Sequence, residues 1–151
     1  MRATGVVRRI DDLGRIVIPK EIRRTLRIKE GDPLELFVSS DGQGVEFRKY
    51  EMYNSEEWEK LKAIVLRILP HTPFALLDAY GDCKGSNLRT SVNTADLTLE
   101  KITNESLPYH LHRITSSGDV LAYLAVGNTD YNAELTRVAI GVMEEYLSAV
   151  V

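Results

Sequence analysis

Arg8, Arg9, Arg15, Arg23, Arg24 and Arg27, with Lys20 and Lys29, fall within the first 29 residues, and only Asp11, Asp12 and Glu21 oppose them before Glu30. A guanidinium is a planar fork of donors that fits phosphate oxygens, or the O6/N7 edge of guanine, in a bidentate way that an ammonium does not match. The chemistry such a cluster favours is recognition of nucleic acid, not bond-making. Charge counting alone leaves open an ordinary solvated face paired with carboxylates.

Other reactive side chains are weaker candidates. His110 and His112 alternate, so both face one side of a strand, and with His71 or Cys83 they could be assembled into a metal site. No Cys-x-x-Cys pair or closely spaced third ligand supports that, and a half-exposed strand face explains the pair as well. Cys83 lies in Gly81-Asp82-Cys83-Lys84-Gly85, where Lys84 could lower a thiol pKa, but a spectator thiol is the simpler reading. The segment lacks the P-loop pattern, and no Ser/His/Asp order or carboxylate pair has the context catalysis needs. The sequence reads as a non-enzyme without metal or cofactor.

The chain of 151 residues has net charge −3, an average that conceals two ends of opposite sign. Residues 1–49 hold 11 Lys and Arg against 8 Asp and Glu, a net of +3; the remainder holds 8 against 14, a net of −6. The basic end is the candidate polyanion surface. No apolar run approaches a membrane span, and the first residues lack a signal peptide's apolar stretch. A lone cysteine makes no internal disulfide, in keeping with a reducing compartment. The expected location is cytoplasmic and nucleoid-associated.

The elements that would carry the arginines begin with two β-branched runs, Val6 to Ile10 and Arg15 to Ile18. They are joined through Asp11-Asp12-Leu13-Gly14 as a hairpin. Pro19 suits a first helical turn, and Lys20 to Leu26 follow as a short helix with Ile22 and Leu26 on one side. Gly31-Asp32-Pro33 breaks the chain before a second hairpin, Leu34 to Val38 and Val45 to Tyr50, turned by Asp41-Gly42-Gln43-Gly44. A four-strand, one-helix unit of this size buries too little surface alone, so dimerisation by strand exchange is the expected remedy.

Beyond Tyr50 the pattern becomes α+β. Asn54 with Glu57 forms a capping box for a helix whose Trp58, Leu61, Val65 and Ile68 repeat at 3-4-3 spacing, a seam suited to core or oligomerisation. Phe74 to Ala79 reads as a buried strand, Gly81 to Asn87 as a polar turn, and Leu97 to Glu105 as a short helix. A hairpin follows from Tyr109 to Thr115 and Val120 to Val126, and then a helix from about Ala133 with Leu135, Val138, Val142, Tyr146 and Ala149 on its core stripe. The expected domains are 1–52 and 53–151.

The run GVVRRIDDLGRIVIPKEIRRTLRIKEGDPLELFV, with Leu13 to Pro19 as its signature, resembles the AbrB-type swapped-hairpin family across nearly all of residues 1–50. The resemblance implies a mainly β, intertwined dimeric barrel in which two chains exchange hairpins. It implies DNA contacts from Arg8, Arg15, Arg23 and Arg24, with Arg9, Lys20 and Arg27 secondary. It further implies recognition of duplex DNA through shape and flexible arginines, in a transcription regulator, activator or repressor, of sporulation or stationary-phase genes. The second region is similar to a shortened GAF-like domain, which implies tetramer assembly or sensing of a small-molecule effector.

Two other readings compete. An antitoxin would use the same domain and wrap a toxin with its tail, but the second region carries core patterning that such tails lack. A small-molecule sensor with secondary DNA binding would need a pocket with convergent polar groups.

Overall fold

The computed structural model describes residues 2–89, 92–105 and 107–150. The chain divides into two compact units, Met1–Glu51 and Met52–Val151.

In the first unit, α1 spans Lys20–Leu26, entered from Pro19 and closed by Arg27 in the left-handed region at φ 54°. The closure satisfies two of the helix-end carbonyls: the Ile28 N–H donates to the Arg23 carbonyl at 2.8 Å and the Arg27 N–H to that of Arg24 at 3.1 Å. Strands β1 (Leu34–Val38) and β2 (Val45–Lys49) pair antiparallel, with Leu36 opposite Phe47. Ser39 and Asp41 build the turn between them: the Ser39 hydroxyl donates to Asp41 at 2.6 Å and accepts from the Gly44 N–H at 2.9 Å.

The first expected hairpin departs from the pattern. Asp11 and Arg15 are joined across a turn, the Asp11 N–H donating to the Arg15 carbonyl at 3.1 Å, but neither flanking segment is a strand. Two strands stand where four were expected. Among the described residues of this unit none is buried, and Val7 is 84% exposed and Val17 71%. These runs have strand character and apolar side chains, yet one chain offers their backbone no ladder partner.

The second unit is an antiparallel sheet with helices on both faces. Helix α2 (Ser55–Ile68) starts at Asn54, which accepts from the Glu57 N–H at 2.9 Å while Glu57 accepts from the Asn54 N–H at 2.8 Å. Strands β3 (Phe74–Asp78), β4 (Cys83–Ser86), β5 (Tyr109–Ser116) and β6 (Asp119–Gly127) lie in the order β4-β3-β6-β5. A 3-10 turn (Thr94–Asp96) and α3 (Leu99–Asn104) precede β5, and α4 (Ala133–Val150) ends the fold.

Alternation along the strands splits the core in two. Phe74, Leu76, Ile114, Leu124 and Val126 pack with Trp58, Leu61 and Val65 of α2 and Ala139, Met143 and Leu147 of α4. Ala75, Leu77 and Ala125 face the other way, against Leu97 and Ile102. The seam expected to serve oligomerisation is therefore interior: Trp58, Leu61 and Val65 are buried and Ile68 half-buried, packed against the same cluster. Trp58, Leu61 and Val65 are enclosed by the sheet and α4 of their own unit.

Three more expectations change. The segment read as a polar turn over Gly81 to Asn87 contains β4, because β3 supplies a ladder for it. The short helix read over Leu97 to Glu105 begins only at Leu99, behind Thr98, whose hydroxyl accepts from the Lys101 N–H at 3.2 Å. On α4 the core stripe is Thr136, Ala139, Met143 and Leu147, whereas Leu135, Val138 and Ala149 are exposed. Of the expected stripe, Tyr146 is half-buried and packs against this core, while the sheet takes the neighbouring face of the helix.

Candidate nucleic-acid interface

All the basic residues singled out from the sequence, Arg8, Arg9, Arg15, Lys20, Arg23, Arg24, Arg27 and Lys29, are exposed in the first unit. Among the described residues, no ion pair holds Arg8, Arg9, Arg23 or Arg24. Arg23 and Arg24 are consecutive on α1 and so diverge by about 100° around its axis. Arg8 comes from the extended N-terminal segment but reaches the same neighbourhood. With Val6, Ile16, Pro19, Ile22 and Leu26 it lines an apolar cleft of about 310 Å³ against the helix. Its aliphatic stem can lie on this apolar wall while the guanidinium stays in water.

Arg15 is held by an ion pair. Its Nε donates to Asp11 Oδ2 at 2.7 Å, while Asp11 Oδ1 accepts from the backbone N–H groups of Leu13 and Arg15, each at 2.9 Å. The backbone and guanidinium of Arg15, in that order, hold the Asp11 carboxyl below its ordinary range, with the Leu13 N–H adding to them. One carboxylate thus folds the loop and orients an arginine. Sequence reasoning counts Asp11 only as an opposing charge. The signal available was its position at the start of Asp-Asp-Leu-Gly, where an Asx turn is favoured.

The second unit gathers no comparable set. Among the described residues no group of three or more His, Cys, Asp or Glu could hold a metal. His110 and His112 face the α2 and α4 side of the sheet, where His110 stacks on Tyr131 with centroids 4.0 Å apart. Cys83 packs with the opposite core cluster. Burial pushes the Cys83 thiol up, away from the reactive range that a neighbouring lysine would favour. Burial likewise lowers the pKa of His112, whose Nε2 has no hydrogen-bond partner. Among the described residues no helix is long and apolar enough to cross a membrane.

Comparison with known proteins falls on the same unit. Residues 7–45 match the family described as antidote-toxin recognition MazE, bacterial antitoxin. The chain is 76% identical to stage V sporulation protein T of Bacillus subtilis over 50 residues, 33% of this chain and 28% of that protein. It is 51% identical over 51 residues to the transition state regulatory protein AbrB of the same organism, covering 34% of this chain and 51% of that one. Thus the chain spans only about a quarter to a half of the length of these relatives. Two solution structures of the AbrB N-terminal domain, one described as its DNA recognition domain, are 49% identical over 34% of this chain, with TM-scores of 0.31 and 0.28. They cover 94% and 92% of those domains. The first unit of this chain is an AbrB/MazE-type domain.

Proposed function

We propose that the chain is a transcription regulator that binds duplex DNA as a dimer, its first unit completed by hairpin exchange with a second copy. The observation that carries this reading is an exposed arginine cluster on a unit with no buried residue among those described. A second copy's Val6 to Ile10 and Arg15 to Ile18 would give the unpaired backbone a ladder and fill the apolar cleft, converting exposed aliphatic surface into core. Arg8, Arg15, Arg23 and Arg24 from both copies then supply the DNA contacts, with Arg9, Lys20 and Arg27 secondary. Paired arginine sets grip phosphates and follow groove shape.

The second unit serves assembly or sensing, in a shortened GAF-like arrangement, and the genes served are those of sporulation or stationary phase. The match to the MazE family supports one alternative, an antitoxin. A packed sheet with helices on both faces is unlike the disordered tail that wraps a toxin.

The test replaces Arg8, Arg15, Arg23 and Arg24 by Ala together and measures binding to promoter duplexes by fluorescence anisotropy, after sedimentation shows that the variant remains dimeric. Loss of binding in a folded dimer supports the reading. Equal binding by the variant and the parent chain overturns the arginine assignment, and a co-purifying small partner in place of DNA binding returns the antitoxin.

A further inference from the structure

In the turn that carries Arg15, one residue has two tasks. Asp11 closes the turn through its backbone, its N–H donating to the Arg15 carbonyl and its carbonyl accepting from the Gly14 N–H, each at 3.1 Å. Its side chain divides the remaining work between two oxygens. Oδ1 accepts from the Leu13 and Arg15 N–H groups at 2.9 Å, and Oδ2 accepts from Arg15 Nε at 2.7 Å. An exposed ion pair ordinarily contributes little, because two long side chains must be ordered to make it. Here the backbone of the turn already fixes the carboxylate, so only the Arg15 side chain has to be ordered.

Where Asp11 holds the guanidinium matters as much as the hold itself. It takes the Nε–H, while the Arg15 side chain stays 69% exposed and, among the described residues, no other bond engages the Nη pair. That pair is the end of the fork that grips two oxygens of one phosphate side by side. Arg8, Arg9, Arg23 and Arg24 have no ion pair among the described residues and keep their rotamer freedom. The carboxylate beside the Arg15 fork is itself 37% exposed. The Arg15 backbone and guanidinium hold its pKa below the ordinary carboxylate range, so it stays ionised at neutral pH. A phosphate that arrives off the tip of Arg15 meets this negative charge and is repelled.

We propose that Asp11 is a specificity-determining residue of the DNA-binding unit, acting through Arg15: it sets one phosphate-gripping fork and repels duplexes whose backbone does not meet it. Phosphate spacing across a groove varies with base sequence, so a fixed fork beside a fixed carboxylate reads groove shape. The inference rests on the reading that the first unit binds duplex DNA. It gives that unit a source of selectivity that a count of positive charges does not contain.

The experiment uses the full chain and two probes, a duplex enriched from a randomised pool by the unaltered chain and the unselected pool itself. Anisotropy titrations give the ratio of the two Kd values, after sedimentation shows each variant to be dimeric. Asp11→Asn keeps an amide oxygen for the Leu13 and Arg15 N–H groups but loses the charge and the Nε contact. It is expected to bind the pool about threefold tighter and the enriched duplex about tenfold weaker. A residue that only built the turn would weaken both together. Arg15→Lys leaves Asp11 and its backbone bonds in place and keeps the positive charge without the fork, so it decides the matter if Asp11→Asn does not dimerise. It is expected to hold the pool within about twofold of the parent chain and to lose about tenfold in preference. In an Arg15→Ala background, Asp11→Asn is expected to change the ratio by less than about twofold. A ratio that either dimeric variant leaves unchanged, a parallel loss on both probes, or a ratio that still shifts in the Arg15→Ala background overturns the proposal. A parent chain that binds the pool but enriches no duplex overturns it with DNA binding intact; one that binds neither overturns the regulator reading on which it rests.

Discussion

Leu61→Ala separates a core role for α2 from a subunit contact. Leu61 is fully enclosed, at 0% exposure, between the sheet and α4. The substitution removes three carbons from a site that cannot collapse freely. At about 0.8 kcal/mol for each buried carbon the transfer loss alone is about 2.4 kcal/mol. Adding the residual cavity brings the expected cost to about 3–5 kcal/mol. For a unit of about 100 residues this corresponds to a fall in Tm of at least about 12 °C, a large share of ordinary domain stability. Urea unfolding followed by Trp58 fluorescence at two protein concentrations reads the cost, and sedimentation of the still-folded variant reads the mass. A midpoint lower than that of the parent chain at each concentration, with unchanged mass, is expected. An unchanged midpoint with a lower mass would refute the reasoning, since it would make the α2 seam a contact between chains.

Two further predictions concern the same unit. Gly81 has φ +88°, and a Cβ there would stand 2.5 Å from Leu99 Cβ, so Gly81→Ala combines backbone strain with a clash and should cost about 2–5 kcal/mol; a loss below about 0.5 kcal/mol in urea unfolding would contradict this. Burial lowers the His112 pKa, with His110 adding to the effect, so the native state favours the neutral ring. The unfolded chain then binds more protons below the ordinary histidine value of about 6.5, and stability should fall as pH drops from there toward the lowered native pKa. Thermal melts from pH 7.5 to 5 should show this decline, flattened in His112→Gln; the same slope in both proteins would assign it to other groups.

Local chemistry made some elements legible and left others hidden. Helix α1 and the capping box of α2 are written in adjacent residues, Pro19 with its following turn and Asn54 with Glu57, and they form within one segment. Strand β4 was illegible because Cys83-Lys84-Gly85-Ser86 has little strand propensity; it exists because Leu76 and Leu77 pair with it. The α4 stripe was misassigned because apolar residues line two faces, and only the position of the sheet decides which is buried. The first hairpin is the converse case, where β-branched residues signal strands over Val6 to Ile10 and Arg15 to Ile18 and the described structure forms only the turn between them. At the candidate interface, the arginines were visible as a cluster, whereas Asp11 as the orienter of Arg15 required the geometry of the loop.

The most direct measurement is the salt dependence of duplex binding by the unaltered chain. Four arginines from each of two copies, eight phosphate contacts in all, predict a slope of log K against log salt of about −7, a loss of about 10⁴ in affinity between 50 and 200 mM salt. A slope near zero, or no binding at the lowest salt, would contradict the account.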